Sequence, residues 1–292
     1  MTKSAFVAIV GRPSSGKSTF LNTVCGQKIS IVSRVPQTTR NKIRGIYHCS
    51  HGQLVFVDTP GFQLSEKKFN TYLKDLVLTS LNEVDLVLYL VDASRRPGLE
   101  ERALLTLVSE GAYNCTVVLN KIDLLNNYST NHQQEIRSAF PHNPPIRCVS
   151  ALRGDGIPDV LTTLLERAPE GEMLYPSEFY TDQTPEFRIS EIIREKAIHE
   201  TTQEVPHALY VEIADLEIQA NKLWVRGFLC VERKSQKGIL IGSQGQKIRR
   251  IRCEAERELS AIFPYETVAL DLRVKVRPKW RRSDRLLREV IG

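Results

Sequence analysis

The chain has 292 residues, 41% of them hydrophobic and 25% charged, with a formal net charge of +6. This length suffices for two domains with separate cores. No apolar run approaches the roughly 20 residues of a membrane-spanning helix, and we expect neither a signal peptide nor a transit peptide. The six cysteines are scattered without C-x-x-C spacing, which argues against a zinc site or a disulfide framework and favours reduced thiols in a cytosol.

The positive charge is concentrated towards the end of the chain. Residues 232–282 hold 14 lysines and arginines against 6 acidic residues, so this block carries +8 while the remainder is close to neutral. Such a block indicates either a surface that binds a polyanion or a solvated charged face. Charge alone favours neither.

The first part of the chain alternates apolar, β-rich runs with amphipathic stretches. The apolar runs are AFVAIVG, IRGIYHCS, QLVFVDTPG, DLVLYLVDAS, CTVVLNKID and PIRCVSAL. Helical patterns between them include EKKFNTYLKDLVLTSLNEV and LEERALLTLVSEG. This alternation predicts an α/β domain over residues 1–169, with a mostly parallel sheet covered by helices on both faces. Ligands of such sheets bind beyond the carboxyl ends of the strands.

The pattern changes after residue 169. Residues 170–185 are rich in proline, glutamate and aromatic residues and lack periodicity, which predicts a connector on the surface. Beyond it we predict a helix over about 186–204, strands in ALYVEIADLEI and KLWVRGFLCVE, a helix over about 246–262, and a strand in VALDLRVKVRP. Residues 186–292 are therefore predicted to form a smaller α+β domain.

A glycine-rich turn follows the first predicted strand and fits G-x-x-x-x-G-K-[ST] at every fixed position. It consists of Gly11, Arg12, Pro13, Ser14, Ser15, Gly16, Lys17 and Ser18, with Thr19 next in the predicted helix. Backbone N–H groups of such a loop surround phosphates, the helix N-terminus attracts them, and the lysine reaches the β- and γ-phosphates. The strand before and the helix after disfavour an accidental Gly/Ser turn. The sequence thus predicts a phosphate loop.

A second motif, Asp58-Thr59-Pro60-Gly61, ends the strand QLVFV, and Phe62 follows it. An aspartate there can hold a magnesium-bound water, and the glycine can present its N–H to a γ-phosphate. The Ser18 hydroxyl would supply a direct magnesium ligand. We therefore interpret this motif as a γ-phosphate sensor rather than an ordinary turn.

A third motif identifies the base. Asn120-Lys121-Ile122-Asp123 follows the strand CTVVL, and the stem of Lys121 can pack over a purine ring. The Asp123 carboxylate can accept two hydrogen bonds from guanine N1–H and N2–H₂, whereas adenine would leave it unpaired. Ser150 and Ala151 follow the strand PIRCV, where backbone N–H groups could meet guanine O6. This order of motifs predicts guanine.

The basic block contains a G-x-x-G tetrad. It consists of Gly242, Ser243, Gln244 and Gly245, between the apolar run KGILI, which we interpret as strand-like, and an amphipathic helix. The pattern I-G-x-x-G-x-x-I, a charged helix and a strand form a KH-type signature for single-stranded RNA. Candidate RNA-binding residues are Ile241 and the tetrad, with Lys247, Arg249, Arg250, Lys275, Arg277 and Trp280. Trp280 is either a stacking platform or a packing residue.

These motifs occur in the order GRPSSGKST, PQTTR, DTPG, NKID, SAL and ILIGSQGQKI. In this the chain resembles, over essentially its full length, the Era-like GTPases, a translation-factor-related family with a C-terminal KH (type II) domain. The resemblance implies GTP hydrolysis with magnesium held by Ser18, Thr39 and, through water, Asp58. It gives catalytic roles to Lys17, Thr39 and Gly61, with Thr39 a ligand only when the γ-phosphate is present.

The resemblance also implies partners. Era-like proteins bind the 3′ end of small-subunit (16S) ribosomal RNA through the KH groove and assist maturation of the 30S subunit. The implied location is the cytoplasm, with peripheral association with the inner membrane, which without an amphipathic anchor would be weak and electrostatic. Nothing in the sequence demands more than a monomer.

The chain departs from the family pattern at Ser14, where relatives usually carry an asparagine that helps bind an activating potassium ion. Serine is a shorter oxygen ligand, which puts in question the potassium stimulation that the resemblance implies. Phe62 stands where Ras-like proteins place a water-orienting glutamine, a departure shared with the family, which predicts slow intrinsic hydrolysis.

Three other functions are compatible with parts of the pattern. The first is an ATP-using P-loop enzyme, and the second is an RNA-binding module that holds GTP without turnover. The third is a related GTPase that acts on tRNA or on large-subunit RNA.

Overall fold

The computed structural model describes residues 2–33, 35–36, 38–64, 68–111, 113–124, 134, 136, 138–140 and 143–291. The chain forms two compact units, Met1–Asp182 and Gln183–Gly292. No helix among the described residues is long and apolar enough to cross a membrane.

The first unit contains a six-stranded sheet. Its elements are β1 (Lys3–Val10), α1 (Lys17–Cys25), β2 (Ile43–Cys49), β3 (Gly52–Asp58), α2 (Lys68–Asn82), β4 (Leu86–Asp92), α3 (Leu99–Glu110), β5 (Cys115–Asn120), β6 (Ile146–Val149) and α4 (Ile157–Arg167). The strand order is β2-β3-β1-β4-β5-β6, and only the β2–β3 pair among these is antiparallel. The predicted mostly parallel α/β domain is confirmed; residues 66 and 67 of the second predicted helix lie outside the described residues.

The central strands are buried on both sides. Every residue of β3, β4 and β5 is buried, as expected for parallel strands covered by helices. One side packs on α2 and α3 through residues such as Tyr89 and Leu104, while α4 contacts β1, β3, β5 and β6. Because β1 and β3–β6 are parallel, their carboxyl ends lie at one edge, and each predicted nucleotide motif begins at or just after such an end.

The last residues of the first unit run along β2 and β3. The Gln53 side chain on β3 accepts hydrogen bonds from the N–H groups of Leu174 and Tyr175 and donates to the Tyr175 carbonyl. On the edge strand β2, the Ile46 N–H donates to the Tyr180 carbonyl, 2.9 Å away. Residues 174–182, the larger part of the predicted connector, therefore belong to the surface of this unit.

The second unit is an α+β domain. Its elements are α5 (Pro185–His199), α6 (Val205–Ala208), β7 (Tyr210–Gln219), β8 (Lys222–Val231), α7 (Lys234–Ile241), α8 (Gln246–Ile262), β9 (Thr267–Val276) and α9 (Asp284–Ile291). The sheet order is β7-β8-β9, with β7–β8 antiparallel and β8–β9 parallel. Helices α5 and α8 pack on each other and on the sheet, and Ile251, Ala255 and Leu259 form the buried side of α8. The predicted α+β fold is confirmed.

Two predicted elements are wrong in detail. The run KGILI, interpreted as strand-like, lies in helix α7, which buries Gln236 and Leu240 and leaves Ile239 exposed. A run of five residues is too short for its hydrophobic periodicity to distinguish a buried strand from a half-buried helix. The predicted helix over 186–204 ends at His199, and the short helix α6 with Pro206 in its first turn follows.

Candidate functional site

The glycine-rich turn between β1 and α1 adopts the geometry of a phosphate loop. Gly16 is in the left-handed region (φ 99°) and precedes α1, so the first N–H groups of α1 open towards the loop. A Cβ on Gly16 would lie 2.3 Å from Asn120 Nδ2, so only glycine fits there. Lys17 is buried, and its Nζ donates to the carbonyls of Gly11 and Arg12, each at 3.1 Å. Burial lowers the pKa of Lys17 to about 8, although Asp58 and Glu101 act in the opposite direction.

Three oxygen-bearing side chains meet beside Lys17. Ser18 Oγ donates to Asp58 Oδ2 at 2.8 Å and lies 2.9 Å from Thr39 Oγ1, which is 3.3 Å from the same carboxylate oxygen. Asp58 Oδ1 is buried without a hydrogen-bond partner among the described residues. Burial raises the pKa of Asp58, while Lys17 and the hydroxyl groups oppose that shift. A cluster of hydroxyl and carboxylate oxygens with an unsatisfied acceptor fits a hard cation such as Mg²⁺.

The sequence did not single out the residues that fix this cluster. Ser30 Oγ donates to Asp58 Oδ2 at 2.8 Å. Asn22 in α1 accepts from the N–H groups of Ile29 and Ser30 and donates to the Ser30 carbonyl. Asn22 thus holds the segment that carries Ser30. Asn22 is one of several polar residues in α1 (KSTFLNTVC), so its position in the sequence gave no signal.

A cleft of about 480 Å³ opens beside these groups. Its lining residues are Pro13, Ser14, Gly16, Lys17, Ser18, Thr19, Ile31, Val32, Ser33, Val35, Pro36, Thr38, Thr39, Gly61, Arg95 and Lys121. Gly61 is packed against the loop so closely that a Cβ would lie 2.7 Å from the Pro13 Cα. The phosphate loop, Thr39 and Gly61 therefore share one cavity.

The N-K-x-D residues are tied to the phosphate loop. Asn120 Nδ2 donates to the Ser15 carbonyl at 2.8 Å, and its Oδ1 accepts from the N–H of Ala151 at 2.9 Å. Lys121 Nζ donates to the Ser14 carbonyl at 2.8 Å. Ser150 Oγ donates to Asp123 Oδ1 at 2.6 Å. The predicted phosphate and base residues are thus joined by direct hydrogen bonds.

Asp92 is a further member of this network that the sequence analysis did not identify. It is buried at the end of β4, and its Oδ2 lies 2.8 Å from both Lys121 Nζ and Arg95 Nε. Burial opposes ionisation of Asp92, but hydrogen bonds from Lys121 and Ser94 together with the charges of Lys121 and Arg95 outweigh it and lower its pKa. Asp92 therefore holds Lys121 in place as a carboxylate.

Some predicted nucleotide-binding residues support the loop without lining the cleft. Phe62 contributes no side chain to the cleft, because its N–H donates to the Gly11 carbonyl and its ring is 3% exposed in the core beside α2. The Thr59 hydroxyl is buried and donates to the Ile9 carbonyl. Arg12 forms an ion pair with Glu101. Gly11, Ser15 and Pro60 are buried.

The G-x-x-G tetrad is a tight turn between α7 and α8. Gly242, Gln244 and Gly245 have φ values of 73°, 50° and 75°. The turn leads into the N-terminus of α8, where Arg249 is exposed and has no ion-pair partner among the described residues. Arg250 Nη1 instead lies 3.2 Å from the Glu200 carboxylate. Lys234 and Lys237, which the sequence analysis did not select, are exposed on the same helix as Ile239.

Two of the predicted RNA-binding cations, at the end of β9 and just after it, share one carboxylate. Lys275 and Arg277 both form ion pairs with Glu212 on β7, at 3.4 and 3.3 Å, and Lys275 Nζ lies 3.1 Å from the centroid of the Phe228 ring. Of the two roles left open for Trp280, the structure supports packing rather than stacking on a base. Its side chain is 0% exposed, packs 4.8 Å from the Tyr210 ring centroid, and donates from Nε1 to the Ala208 carbonyl.

Comparisons with known proteins agree with this geometry. A family model described as 50S ribosome-binding GTPase matches residues 6–121, and a KH domain model matches residues 204–281. GTPase Era of Treponema denticola is 48% identical, covering 98% of this chain and 99% of that protein. GTPase Era of Borreliella burgdorferi is 43% identical, covering 99% of this chain and all of that protein.

Two solved structures are similar over nearly their whole length. Aquifex aeolicus Era bound to GDP·AlF4⁻ has a TM-score of 0.93 at 34% identity and covers 98% of each chain. Era in complex with MgGDPNP and nucleotides 1506–1542 of 16S ribosomal RNA has a TM-score of 0.94 at 33% identity, covering 99% of this chain and 98% of that one. The phosphate loop, the guanine motif and the G-x-x-G turn, in a chain this similar to curated relatives, show that it belongs to the Era family of GTPases.

Proposed function

We propose that this protein is a GTP-hydrolysing switch that binds small-subunit (16S) ribosomal RNA near its 3′ end and assists maturation of the 30S subunit. The observation that carries the proposal is the convergence of Lys17, Thr39, Gly61 and Lys121 on one cleft in a chain that also presents a G-x-x-G turn. The RNA of the Era complex, nucleotides 1506–1542 of 16S ribosomal RNA, supports the choice of partner.

We propose that Ser18, Thr39 and Asp58, the last through water, hold Mg²⁺. When bound, the ion would neutralise charge on the β- and γ-phosphates. Lys17 would bind the same phosphates, and Gly61 would donate its N–H to the γ-phosphate. Loss of the γ-phosphate would free the Thr39 and Gly61 segments, which is the proposed switch. Potassium is left out of the proposal because Ser14 stands where the family pattern that the chain resembles has an asparagine.

We propose that Asp123 binds guanine, with Asn120, Ser150 and Ala151 fixing its loop. We further propose a cytoplasmic monomer whose contact with the inner membrane is weak and electrostatic. The support for this location is the family resemblance together with the basic charge of residues 232–282.

Binding of GDP is expected to take up protons near pH 8.5. The free protein has a Lys17 pKa of about 8, so much of this lysine is neutral there, and phosphates favour its ammonium form. GDP affinity should therefore fall by up to about tenfold per pH unit above pH 8. Calorimetry in two buffers of different ionisation enthalpy measures the proton uptake.

Lys17→Arg is the control, because arginine stays protonated across this range. It should bind GDP more weakly than the wild type but without proton uptake, and equal uptake in both proteins would exclude Lys17 as the source.

The same depressed pKa implies that, without ligand, charged Lys17 destabilises the fold below pH 8 by about 3 kcal/mol. That cost should disappear as the pH rises from 8 towards 10.5.

The RNA assignment is tested at α8. Arg249→Gln should weaken binding of a 16S 3′-end fragment and reduce the slope of log affinity against log salt by about 1, because an unpaired cation contacts phosphate. Arg250→Gln is the matched control and should have a smaller effect, since Glu200 already pairs with Arg250. Equal RNA affinity in wild type and Arg249→Gln would contradict the assignment.

The same titrations with GDP and with a non-hydrolysable GTP analogue test whether nucleotide state and RNA affinity are coupled.

A second candidate is action on the large subunit, favoured by the description 50S ribosome-binding GTPase of the family model that matches residues 6–121. Crosslinking of RNA to the turn between Gly242 and Gly245, followed by sequencing, distinguishes the two. Phosphate release in the presence of small-subunit particles should exceed the intrinsic rate under the first candidate only.

A further inference from the structure

A buried ion pair joins the phosphate loop to helix α3. Arg12 Nε lies 2.9 Å from Glu101 Oε2, and the two side chains are 11% and 4% exposed. Neither atom has a hydrogen-bond partner among the described residues, so the contact is an ion pair without hydrogen-bond geometry. The hydroxyl of Tyr89, a fully buried residue of β4, donates a hydrogen bond to Glu101 Oε1. Arg12 Nη1 also donates to the Arg96 carbonyl at 3.4 Å. The Arg12 side chain is thus held by α3, which is itself tied to β4, and by the segment between them.

The backbone of Arg12 in turn holds the functional end of the loop. Its carbonyl accepts hydrogen bonds from Lys17 Nζ at 3.1 Å and from the Ser15 N–H at 3.2 Å. Anchoring the Arg12 side chain therefore fixes the carbonyl that orients the lysine. Glu101 lies in the first turn of α3, where the helix dipole favours a carboxylate.

A gain in folding stability does not by itself explain why Arg12 and Glu101 form a buried ion pair. Burial raises the pKa of Glu101, against the Tyr89 hydrogen bond and the charge of Arg12, so the surroundings disfavour the carboxylate. Buried ion pairs often add no stability over apolar side chains of the same volume, whereas one partner left alone is costly. The ion pair can fix the position of a loop that binds phosphates, which apolar side chains in the same place could not do.

We propose that Glu101 is a positioning residue for phosphate binding, acting through Arg12 on Lys17. The proposal deepens the proposed function and rests on the assignment of the cleft to GTP and GDP. Glu101 is not among the residues that line the cleft, so it acts through the loop rather than on the substrate.

The test separates stability from nucleotide binding in the full-length protein. Urea unfolding, GDP affinity and the GDP dissociation rate are measured for Glu101→Gln, for Tyr89→Phe and for the double variant Arg12→Met/Glu101→Leu. Glu83→Gln, which removes an exposed ion pair with Lys42 on the same unit, is the matched control and should leave GDP affinity unchanged. By analogy with residues that orient metal ligands, Glu101→Gln should lose roughly tenfold to a hundredfold in GDP affinity. Tyr89→Phe should lose less, in the same direction.

The double variant decides between positioning and structure. The urea concentration at the midpoint of unfolding, which Glu101→Gln lowers, should return to the wild-type value in the double variant. GDP should still dissociate at least about tenfold faster than from the wild type. Recovery of both stability and GDP affinity would overturn the proposal. If the double variant does not fold, wild-type GDP affinity in Glu101→Gln overturns it, and a tenfold loss with an unchanged circular dichroism spectrum supports it. A wild-type protein that binds no GDP would contradict the proposed function instead.

Discussion

Replacement of Asp123 by asparagine is expected to change the base preference from guanine to xanthine. GDP affinity should fall by about three orders of magnitude, because an amide cannot accept both the N1–H and N2–H₂ donors and leaves buried polar groups mismatched. Xanthine carries an oxygen at the 2-position, to which the asparagine NH₂ can donate. Xanthosine diphosphate should then bind more tightly to the variant than GDP does.

The structure makes this exchange a clean test. Asp123 and asparagine have the same shape, and Ser150 Oγ, 2.6 Å from Asp123 Oδ1, can donate equally to an amide oxygen. The backbone of the loop should therefore be preserved. Asp159→Asn, at an exposed position of α4, is the matched control and should leave both affinities unchanged. A variant at position 123 that still prefers GDP would refute the guanine assignment, and tight binding of ADP by the wild type would favour an ATP-using enzyme.

Truncation of Trp280 to alanine is expected to destabilise the second unit by about 3–5 kcal/mol. The indole is fully buried against Tyr210, and its Nε1–H satisfies the Ala208 carbonyl. Alanine would leave a cavity and an unpaired carbonyl, both of which cost free energy. Trp280→Phe keeps an aromatic contact but loses the hydrogen bond, so it should cost less.

The measurement is urea unfolding followed by circular dichroism, with RNA binding measured under conditions where each variant is folded. Trp224→Ala, on the partly exposed part of β8, is the matched control for loss of an indole. If Trp280→Ala kept wild-type stability and lost RNA affinity, a stacking role would be correct after all. If Trp280 is a packing residue, stability falls and the RNA affinity of the folded fraction is kept.

The nucleotide site was predictable because its motifs are local. Backbone conformation, a helix N-terminus and one lysine make a phosphate loop, and all of these are encoded within the eight residues from Gly11 to Ser18. The order of motifs after strands then placed Asp58, Asn120 and Ser150 at one sheet edge, because carboxyl ends of parallel strands lie together.

The supporting residues were not predictable because they contact partners distant in the chain. Asp92 holds Lys121 from 29 positions away, and Ser30 reaches Asp58 from 28. Glu101 pairs with Arg12 across an even longer separation. Each is an ordinary polar residue in a helix, strand or loop, and no spacing rule marks it.

The sequence by itself determined the α/β and α+β fold classes, the phosphate loop, the N-K-x-D motif and the G-x-x-G turn, since each depends on residues that are neighbours in the chain. Tertiary structure alone decided which basic and aromatic residues are available to a ligand. Lys275 and Arg277 are paired because β7 brings Glu212 beside them, and Trp280 is buried because Tyr210 and Ala208 enclose it. Exposure and pairing are properties of packing between distant segments, so composition could not supply them.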